Sequence, residues 1–371
     1  MNSRKFFAAI AAIALLAFGV AACGSSDDTS GDSSSSDSST AVPTDLSGEI
    51  AGAGSSAQEA AQEAWIAGIQ NASPDATISY DPVGSGGGRE QFIAGGATDY
   101  AGTDSAFADQ ELTDAEKRCT DQGGEMIQIP VYISAIAVVY NLPEVTDLQL
   151  SPETVAGIFN QKITTWNDPA IAADNPDADL PDTAITPVNR SDDSGTTANF
   201  TDYLADTAGS AWPYPADDTW PVKGGEAANG TSGVIDAVKN GEGTIGYADE
   251  SQAGDLGIAS IKVGDTYVAP SADGASAALD SAKESTEGKY IFSYDIDRTT
   301  TNPDEYPLLL LSYEAACTAY DDTATSDLVS ALLNYIISAD GQDAAASNAG
   351  SAPISDQIRS QIQPAVDAIG S

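Results

Sequence analysis

The stretch ITPVNRSDDSGTTANFTDYL, residues 185–204, joins a strand pattern to a helix pattern. Residues 185–188 form a short apolar run with β-branched side chains, and Phe200, Tyr203 and Leu204 recur three and four residues apart. The short run predicts a buried strand, and the spacing of the three later residues predicts one face of a helix. The sequence therefore predicts a strand that passes directly into a helix, as in an α/β sheet.

The junction inside this stretch concentrates groups that bind anions. Arg190 has a planar guanidinium that can pair with two oxygen atoms, and Asp192 lies close enough in sequence to hold it in position. Ser194, Gly195 and Thr196 follow at the predicted helix start, where backbone N–H groups are unpaired and the helix dipole is positive. The alternative is an exposed arginine in a polar loop, paired with surface acids.

The alternation of strand and helix patterns continues along the chain. Strand-forming apolar runs occur at residues 78–80, 127–140, 185–188, 244–247 and 308–311. Apolar residues recur at helical spacing over residues 57–69 and over residues 328–336, the second helix stopping near Gly341. This order predicts a mainly parallel α/β architecture, with ligand sites outside the carboxyl ends of the strands.

Two further strand-to-helix junctions suit a small anion. Ser56 and Glu59 fit an S-x-x-E capping box at the start of the first long helix, although most capped helices bind nothing. Residues 81–89, DPVGSGGGR, contain glycines that allow the backbone to approach a ligand, and Ser85 adds a hydroxyl donor. A plain flexible turn is the alternative for this loop.

The amino terminus has the pattern of an export signal. Residues 1–22 carry Arg4 and Lys5 before an uncharged, Ala-rich run that ends in small residues directly before Cys23. A retained transmembrane helix is the alternative, but seventeen residues rich in alanine make a poor span of ~30 Å of hydrocarbon. Residues 24–40 contain only Gly, Ser, Asp and Thr, which predicts a flexible tether before a folded body that begins near residue 41.

Two cysteines remain in the predicted folded body. Cys119 and Cys317 form an even pair in a chain that is exported to an oxidising compartment, where disulfides persist. One disulfide between them is our prediction. Two buried free thiols are the alternative, because sequence does not establish the distance between the two Cα atoms.

Composition excludes several classes of function. The chain of 371 residues has 14 Lys+Arg, 56 Asp+Glu and no histidine, for a formal net charge of −42. Such a polyanion repels nucleic-acid phosphates, so we expect no nucleic-acid partner. The missing imidazole excludes Ser-His-Asp hydrolysis, His-containing zinc sites and His-ligated haem. We find no dense Asp, Glu or Cys cluster with metal-ligand spacing, so we expect neither a metal nor a cofactor.

Together these segments resemble the phosphate-binding lipoproteins of Pst-type ABC phosphate importers. The resemblance is carried by GAGSS (52–56), DPVGSGGGREQFIAGGATDYAGTDSAF (81–107), KITTWNDPAI (162–171), NRSDDSGTTANFTDYL (189–204) and GTIGYAD (243–249). It implies an α/β, two-lobed type II periplasmic-binding-protein (Venus flytrap) fold that closes on one orthophosphate in the cleft between lobes. The sequence Val-Ala-Ala-Cys similarly resembles a lipobox, which implies lipidation at Cys23 and anchoring to the outer face of the cytoplasmic membrane.

The resemblance also implies a set of ligand positions. The phosphate-binding positions of the family fall on Ser56, Ala57, Ser85, Asp104, Arg190, Ser194, Gly195 and Thr196, with Asp192 as the acid that pairs with the arginine. Asp104 takes the position of the carboxylate that faces the ligand. Ala57 stands where the family usually has Phe, which keeps the backbone N–H but removes an aromatic wall.

The implied lobes are discontinuous in sequence. Residues 41–132 and 308–371 are expected to form lobe 1, and residues 133–307 lobe 2, with residues 269–304 given no further role. The expected function is phosphate binding and delivery to the membrane-spanning subunits of an importer, without enzymatic activity. The alternatives are an exported phosphatase-like enzyme, or a binding protein or sensor for another oxyanion such as sulfate.

Overall fold

The computed structural model describes residues 42–371. The predicted signal (1–22), Cys23 and the tether lie outside the described residues. The strands are β1 Ser47–Gly54, β2 Asp75–Asp81, β3 Tyr100–Thr103, β4 Met126–Tyr140, β5 Gln149–Leu150, β6 Thr186–Arg190, β7 Glu226–Ala228, β8 Thr244–Asp249, β9 Gly257–Val263, β10 Thr266–Val268, β11 Lys283–Glu287, β12 Ile291–Asp295 and β13 Leu309–Cys317. The helices are α1 Glu59–Ala72, α2 Ser85–Ala94, α3 Asp109–Asp121, α4 Pro152–Phe159, α5 Pro169–Asp174, α6 Gly195–Thr207, α7 Gly230–Asn240, α8 Ala272–Asp280, α9 Thr323–Ile337, α10 Ala339–Ala349 and α11 Asp356–Val366. Over this part of the chain, no helix is both long and apolar enough to cross a membrane.

The main path of the sheet has parallel strands at both ends and antiparallel strands in the middle. Its strand order is β2-β1-β3-β13-β4-β8-β6-β7. At one end β1 is parallel to β2 and β3, and at the other β6 is parallel to β7 and β8. In the middle, β13 is antiparallel to β3 and β4, and β4 is antiparallel to β8. The predicted α/β architecture is confirmed. The sheet is mixed and not mainly parallel as expected, because antiparallel strands lie between two separate groups of parallel strands.

Strand β4 connects the two groups. All fifteen of its residues are buried, which agrees with the continuous apolar run in the sequence. Its first part, from Met126 to Ala135, pairs with β13, and its last part, from Ile136 to Tyr140, pairs with β8. One strand therefore carries the chain from the sheet that contains β1 to the sheet that contains β6.

The segment that the sequence left without a role packs beside the first part of β4. Strands β11 and β12 form an antiparallel hairpin, and Ile291 of β12 pairs in parallel with Gln128 of β4. The side-chain amide of Gln128 also donates to the carbonyl oxygen of Phe292 at 2.9 Å. This hairpin extends the sheet that contains β1 and β13.

Helix α6 packs against a cluster of aromatic side chains. The rings of Phe200 and Tyr247 stack with centroids 4.3 Å apart, and Phe159 meets Phe200 edge to face at 4.9 Å. The side chains of Phe200, Tyr203 and Leu204, which predicted the helix, are fully buried. Each such side chain contributes about 1.5–3 kcal/mol of burial energy, which fixes the start of α6 against the end of β6.

The predicted disulfide is confirmed. Cys119 in α3 and Cys317 at the end of β13 are joined, with their Cα atoms 5.2 Å apart at a sequence separation of 198. Both side chains are fully buried. The bond ties an outer helix to a central strand and closes a long loop, which restricts the unfolded chain.

Two expectations about helix ends are wrong. Helix α1 begins at Glu59 after Gln58, without a side-chain cap, and the Ser56 hydroxyl instead accepts a hydrogen bond from the backbone N–H of Thr231. A tertiary donor has replaced the local capping box.

Helix α9 ends at Ile337, and Gly341 lies in α10, where a Cβ atom would come within 1.8 Å of the Tyr335 carbonyl oxygen. The glycine therefore allows close packing and is not a helix stop.

Strand β13 places one carboxyl group deep in the core. Glu314 is fully buried, one of its oxygens accepts a hydrogen bond from Gln62, and Oε2 has no partner among the described residues. Burial, together with the negative charge of Asp104, raises the pKa of Glu314 to about 8. The side chain is therefore mostly protonated at neutral pH.

We expect the Glu314→Gln variant to be more stable than the wild type at pH 8. A glutamate in the unfolded chain has a pKa of about 4.3, so between that pH and about 8 the folded state binds one proton more and wild-type stability falls as pH rises. Glutamine does not ionise and avoids this loss, which is a few kcal/mol at about 1.4 kcal/mol per pKa unit. Urea unfolding at pH 5 and pH 8 measures the difference, which should shrink at the lower pH.

The exposed Glu49→Gln substitution on β1 is the matched control and should leave the pH profile of stability unchanged. If Glu314→Gln follows the wild-type profile between pH 5 and pH 8, Glu314 is ionised in the folded protein.

Candidate functional site

Four strand-to-helix junctions meet at one place in the fold. They follow β1, β2, β6 and β7, and lead into α1, α2, α6 and α7. The backbone N–H of Gly84 donates to Gly54 at 2.8 Å, and the N–H of Gly86 donates to Asp193 at 3.0 Å. The N–H of Thr231 donates to the Ser56 hydroxyl at 3.0 Å. Helix N-termini carry unpaired N–H groups, so their convergence creates a positive, donor-rich region.

Arg190, the last residue of β6, is held by Asp192. The Nε atom donates to Oδ1 of Asp192 at 2.8 Å, and Nη2 donates to Oδ2. Asp192 also accepts from the backbone N–H of Gly230 at 3.1 Å. Burial alone would raise the pKa of Asp192, but the hydrogen bonds and charge of Arg190 lower it overall. The predicted supporting role of Asp192 thus has a geometric basis, since an ionised carboxylate fixes one edge of the guanidinium.

Asp104 follows β3 and joins several elements. Its carboxylate accepts from the hydroxyl groups of Ser312 at 2.7 Å and Thr196 at 3.2 Å. Its backbone N–H donates to the Ser85 hydroxyl at 3.1 Å, and its carbonyl oxygen accepts from the Asn199 amide at 2.7 Å. Burial raises the pKa of Asp104, and hydrogen bonds from the neighbouring hydroxyl groups oppose that rise. Its hydrogen bonds thus join β3 to β13, α2 and α6.

The starts of α2 and α6 approach each other closely. Ser85 is the first residue of α2, and Gly195 is the first residue of α6. A Cβ atom on Gly195 would lie 2.7 Å from both the Ser85 hydroxyl oxygen and Cβ of Asp104. Only glycine fits there, and its small size leaves the first N–H groups of α6 open. The Ser194 hydroxyl caps this helix by accepting from the Thr197 N–H at 3.2 Å.

Ser56 and Ala57 lie on the other side of the region. The Ser56 hydroxyl is 3.0 Å from the Thr231 hydroxyl, and the Ala57 N–H donates to the Ser55 hydroxyl at 3.1 Å. Both residues are buried. The structure therefore brings all eight predicted ligand positions to the junctions or to the Asp104 turn beside them.

Sequence reasoning missed the fourth junction. Gly230 and Thr231 open α7 and contact Asp192 and Ser56, which are two predicted site residues. The segment NGTSG, residues 229–233, contains Gly, Thr and Ser as the junction at α6 does, and it carried a usable signal. The short strand before it, β7, has three residues and no buried side chain, so no strand pattern announced it.

A buried arginine behind the site was also missed. Arg298 donates from Nη2 to Oδ1 of Asn199 at 2.6 Å and from Nη1 to the carbonyl oxygen of Leu309 at 3.0 Å. Because arginine has no acceptor, this bond fixes the amide of Asn199 with Nδ2 toward Asp104. No local sequence signal links residues that lie about a hundred positions apart.

The arrangement suits a small oxyanion that carries a proton. Helix-start N–H groups and hydroxyl groups supply donors, and Arg190 supplies a full positive charge. Asp104 supplies an acceptor, which an unprotonated oxyanion cannot use. Such a set of groups can attract an anion and can distinguish a protonated oxyanion from an unprotonated one.

Comparisons with known proteins agree with this geometry. A family profile for the PBP superfamily domain matches residues 34–340. The phosphate-binding protein PstS 3 of Mycobacterium tuberculosis is 35% identical over 376 residues, covering 100% of both chains. PstS of Pasteurella multocida is 35% identical over 236 residues, covering 61% of this chain and 65% of its own.

Solved structures share the two-lobed fold. A high-affinity periplasmic phosphate-binding protein (PfluDING), bound with phosphate, superposes with a TM-score of 0.69 at 20% identity over 85% of this chain and 93% of its own. A phosphate-binding protein from Stenotrophomonas maltophilia superposes with a TM-score of 0.64 at 19% identity over 86% and 94%. The chain belongs to the PBP superfamily and, within it, to the PstS family of phosphate-binding proteins.

Proposed function

We propose that this chain binds inorganic phosphate outside the cytoplasmic membrane and delivers it to the membrane-spanning subunits of an ABC phosphate importer. The observation that carries the proposal is the position of buried Asp104 and the Arg190–Asp192 pair among converging helix starts. Membership in the PstS family supports the same ligand. The predicted ligand positions, Ser56, Ala57, Ser85, Asp104, Arg190, Ser194, Gly195 and Thr196, are the residues proposed to contact it.

Asp104 is the proposed source of selectivity. Near neutral pH phosphate still carries a proton and sulfate does not. A buried carboxylate accepts a hydrogen bond from the P–O–H group, but it would face a bare sulfate oxygen with two acceptors in contact. Leaving a charged buried group unpaired costs several kcal/mol, so we expect phosphate to bind ~10³-fold or more tightly than sulfate.

We also infer that the site binds phosphate without transforming it. The chain has no histidine to act as a general base or metal ligand. The acids of the site, Asp104 and Asp192, are engaged by hydroxyl groups and by Arg190, respectively. Turnover of a phosphomonoester by the pure protein would favour the phosphatase alternative.

Substitution of Arg190 and Asp104 should have different effects. We expect Arg190→Ala to weaken phosphate binding by about 2–5 kcal/mol, as is typical when one partner of a buried charge pair is truncated. Asp104→Asn can donate as well as accept, so it should narrow the phosphate-to-sulfate preference far more than it lowers phosphate affinity. Calorimetric titration of each variant with phosphate and with sulfate measures both quantities.

Arg359→Ala is the matched control, because Arg359 pairs with Asp356 on α11, away from the site. It should bind both anions like the wild type. Wild-type phosphate affinity in Arg190→Ala, or an unchanged anion ratio in Asp104→Asn, would falsify the site assignment.

We propose that lobe 1 comprises residues 41–132 and 308–371, and lobe 2 residues 133–307, and that phosphate closes them. The proposal is supported by the division of the parallel strands into two groups with β4 paired in both. The proposed ligand groups come from both sides, with the Ser85 donor and the Asp104 acceptor in lobe 1 and the Arg190 and Thr196 donors in lobe 2. A complete site then requires closure by a hinge motion.

Small-angle scattering should report this motion. We expect the radius of gyration of the wild type to decrease when phosphate saturates the protein, because closure brings the lobes together. Arg190→Ala at the same phosphate concentration should keep the larger radius. Identical profiles with and without phosphate, at full occupancy in the wild type, argue against closure.

We propose that Cys23 carries the lipid anchor that holds the protein at the outer face of the membrane. The export-signal pattern of residues 1–22 and the small residues before Cys23 support this. Cys23→Ala removes the acceptor thiol, so this variant should leave the membrane fraction or stay unprocessed. Normal processing with full membrane retention in cell fractionation would contradict lipidation at Cys23.

A further inference from the structure

Arg89 is a buried cation that the phosphate site does not use. It follows the glycine loop on α2, and its side chain is 6% exposed. Its Nη1 atom donates to the hydroxyl groups of Thr103 at 3.2 Å and Ser105 at 2.8 Å. It forms ion pairs with Glu111 at 2.7 Å and with Asp218 at 2.6 Å.

The two hydroxyl contacts tie Arg89 to the Asp104 turn. Thr103 and Ser105 are the residues directly before and after Asp104. Glu111 lies on α3, which follows this turn in the chain. These partners all belong to residues 41–132, so Arg89 and the Asp104 turn move together within the proposed lobe 1.

Asp218 belongs to the proposed lobe 2. Its carbonyl oxygen accepts from the backbone N–H of Ser194, the cap of α6, at 3.0 Å. The neighbouring Asp217 donates its N–H to the Thr201 hydroxyl at 3.0 Å and accepts from it at 2.9 Å. The segment that carries Asp218 is therefore fastened to α6, and it moves with the helix start that faces the anion.

We propose that the Arg89–Asp218 ion pair is a latch that holds the two lobes closed over bound phosphate. This inference rests on the proposed function and on the proposed division into lobes. The pair joins the Asp104 turn to the cap of α6, and neither of its residues is among the proposed phosphate ligands. The Asp218 side chain is 25% exposed and the Arg89 side chain 6%. The pair is therefore more desolvated than a surface ion pair, and its contribution to the free energy of closure should be larger.

Two effects of removing the Asp218 charge have opposite signs. Asp218 is an acid close to an anion site, so simple electrostatics predicts that its neutralisation strengthens phosphate binding. A latch predicts weaker binding, because the closed form loses an interaction that the open form lacks. The sign of the change in phosphate affinity therefore distinguishes the latch from simple electrostatics.

Glu111 provides a charge-matched control. It pairs with the same guanidinium at a similar distance, but it lies in the same lobe as Arg89 and the pair persists in both open and closed forms. Neutralising Glu111 removes one negative charge at about the same distance from Arg89. It should not change the balance between open and closed forms.

The test compares Asp218→Asn, Glu111→Gln and the wild type. We expect Asp218→Asn to release phosphate at least about tenfold faster and to bind it correspondingly more weakly, since truncating a desolvated pair acts mainly on dissociation. Glu111→Gln should bind phosphate as tightly as the wild type or slightly more tightly. Calorimetry gives the affinities, and stopped-flow tryptophan fluorescence gives the release rates, with Trp220 two residues from Asp218.

A double-mutant cycle secures the result if a single variant is perturbed in folding. In the Arg89→Gln background the Asp218→Asn substitution should have no further effect on phosphate release. Equal or tighter binding by Asp218→Asn, or the same loss in both backgrounds, overturns the latch. If the wild type itself fails to bind phosphate, the proposed function is wrong, and the latch, which rests on it, is wrong as well.

Discussion

A buried carboxylate needs hydrogen-bond donors around it, and Asp104 imposes this requirement at the centre of the molecule. Its carboxylate accepts hydrogen bonds from Ser312 on β13 and Thr196 on α6. Its backbone carbonyl oxygen accepts from Asn199, one turn further along α6, and its backbone N–H donates to Ser85 at the start of α2. One residue therefore links β13, α6 and α2 and constrains their relative positions.

The same constraint explains how an anion site exists in a chain with a formal net charge of −42. At physiological ionic strength the Debye length is about 8 Å, so distant surface charges are screened while buried dipoles act at contact. The acids nearest to the site are also restrained. Asp192 is paired with Arg190, and Glu314 behind the site is mostly protonated at neutral pH because burial raises its pKa to about 8. Local donors thus determine the potential in the cleft.

The candidate site was predictable where its chemistry is local. Arg190, Asp192 and the Ser194–Thr196 helix start lie within seven consecutive residues, and the glycine loop with Ser85 is equally compact. Local reasoning failed where a side chain takes its hydrogen-bond partner from a distant segment and not from its own helix. The hydroxyl of Ser56 was expected to cap α1, but Thr231 supplies its donor from 175 residues away. Thr231 itself was missed because β7 is short and has no buried side chain.

The sequence by itself determined the alternation of strands and helices, the cysteine pair and the junctions rich in anion donors. Hydrophobic period, glycine content and capping residues act over a few positions, so a linear pattern records them. Only the tertiary structure decided that Arg298 orients Asn199 and that Arg89 meets Asp218 across 129 positions. Such contacts depend on where the sheet brings distant segments together, and no local propensity specifies them.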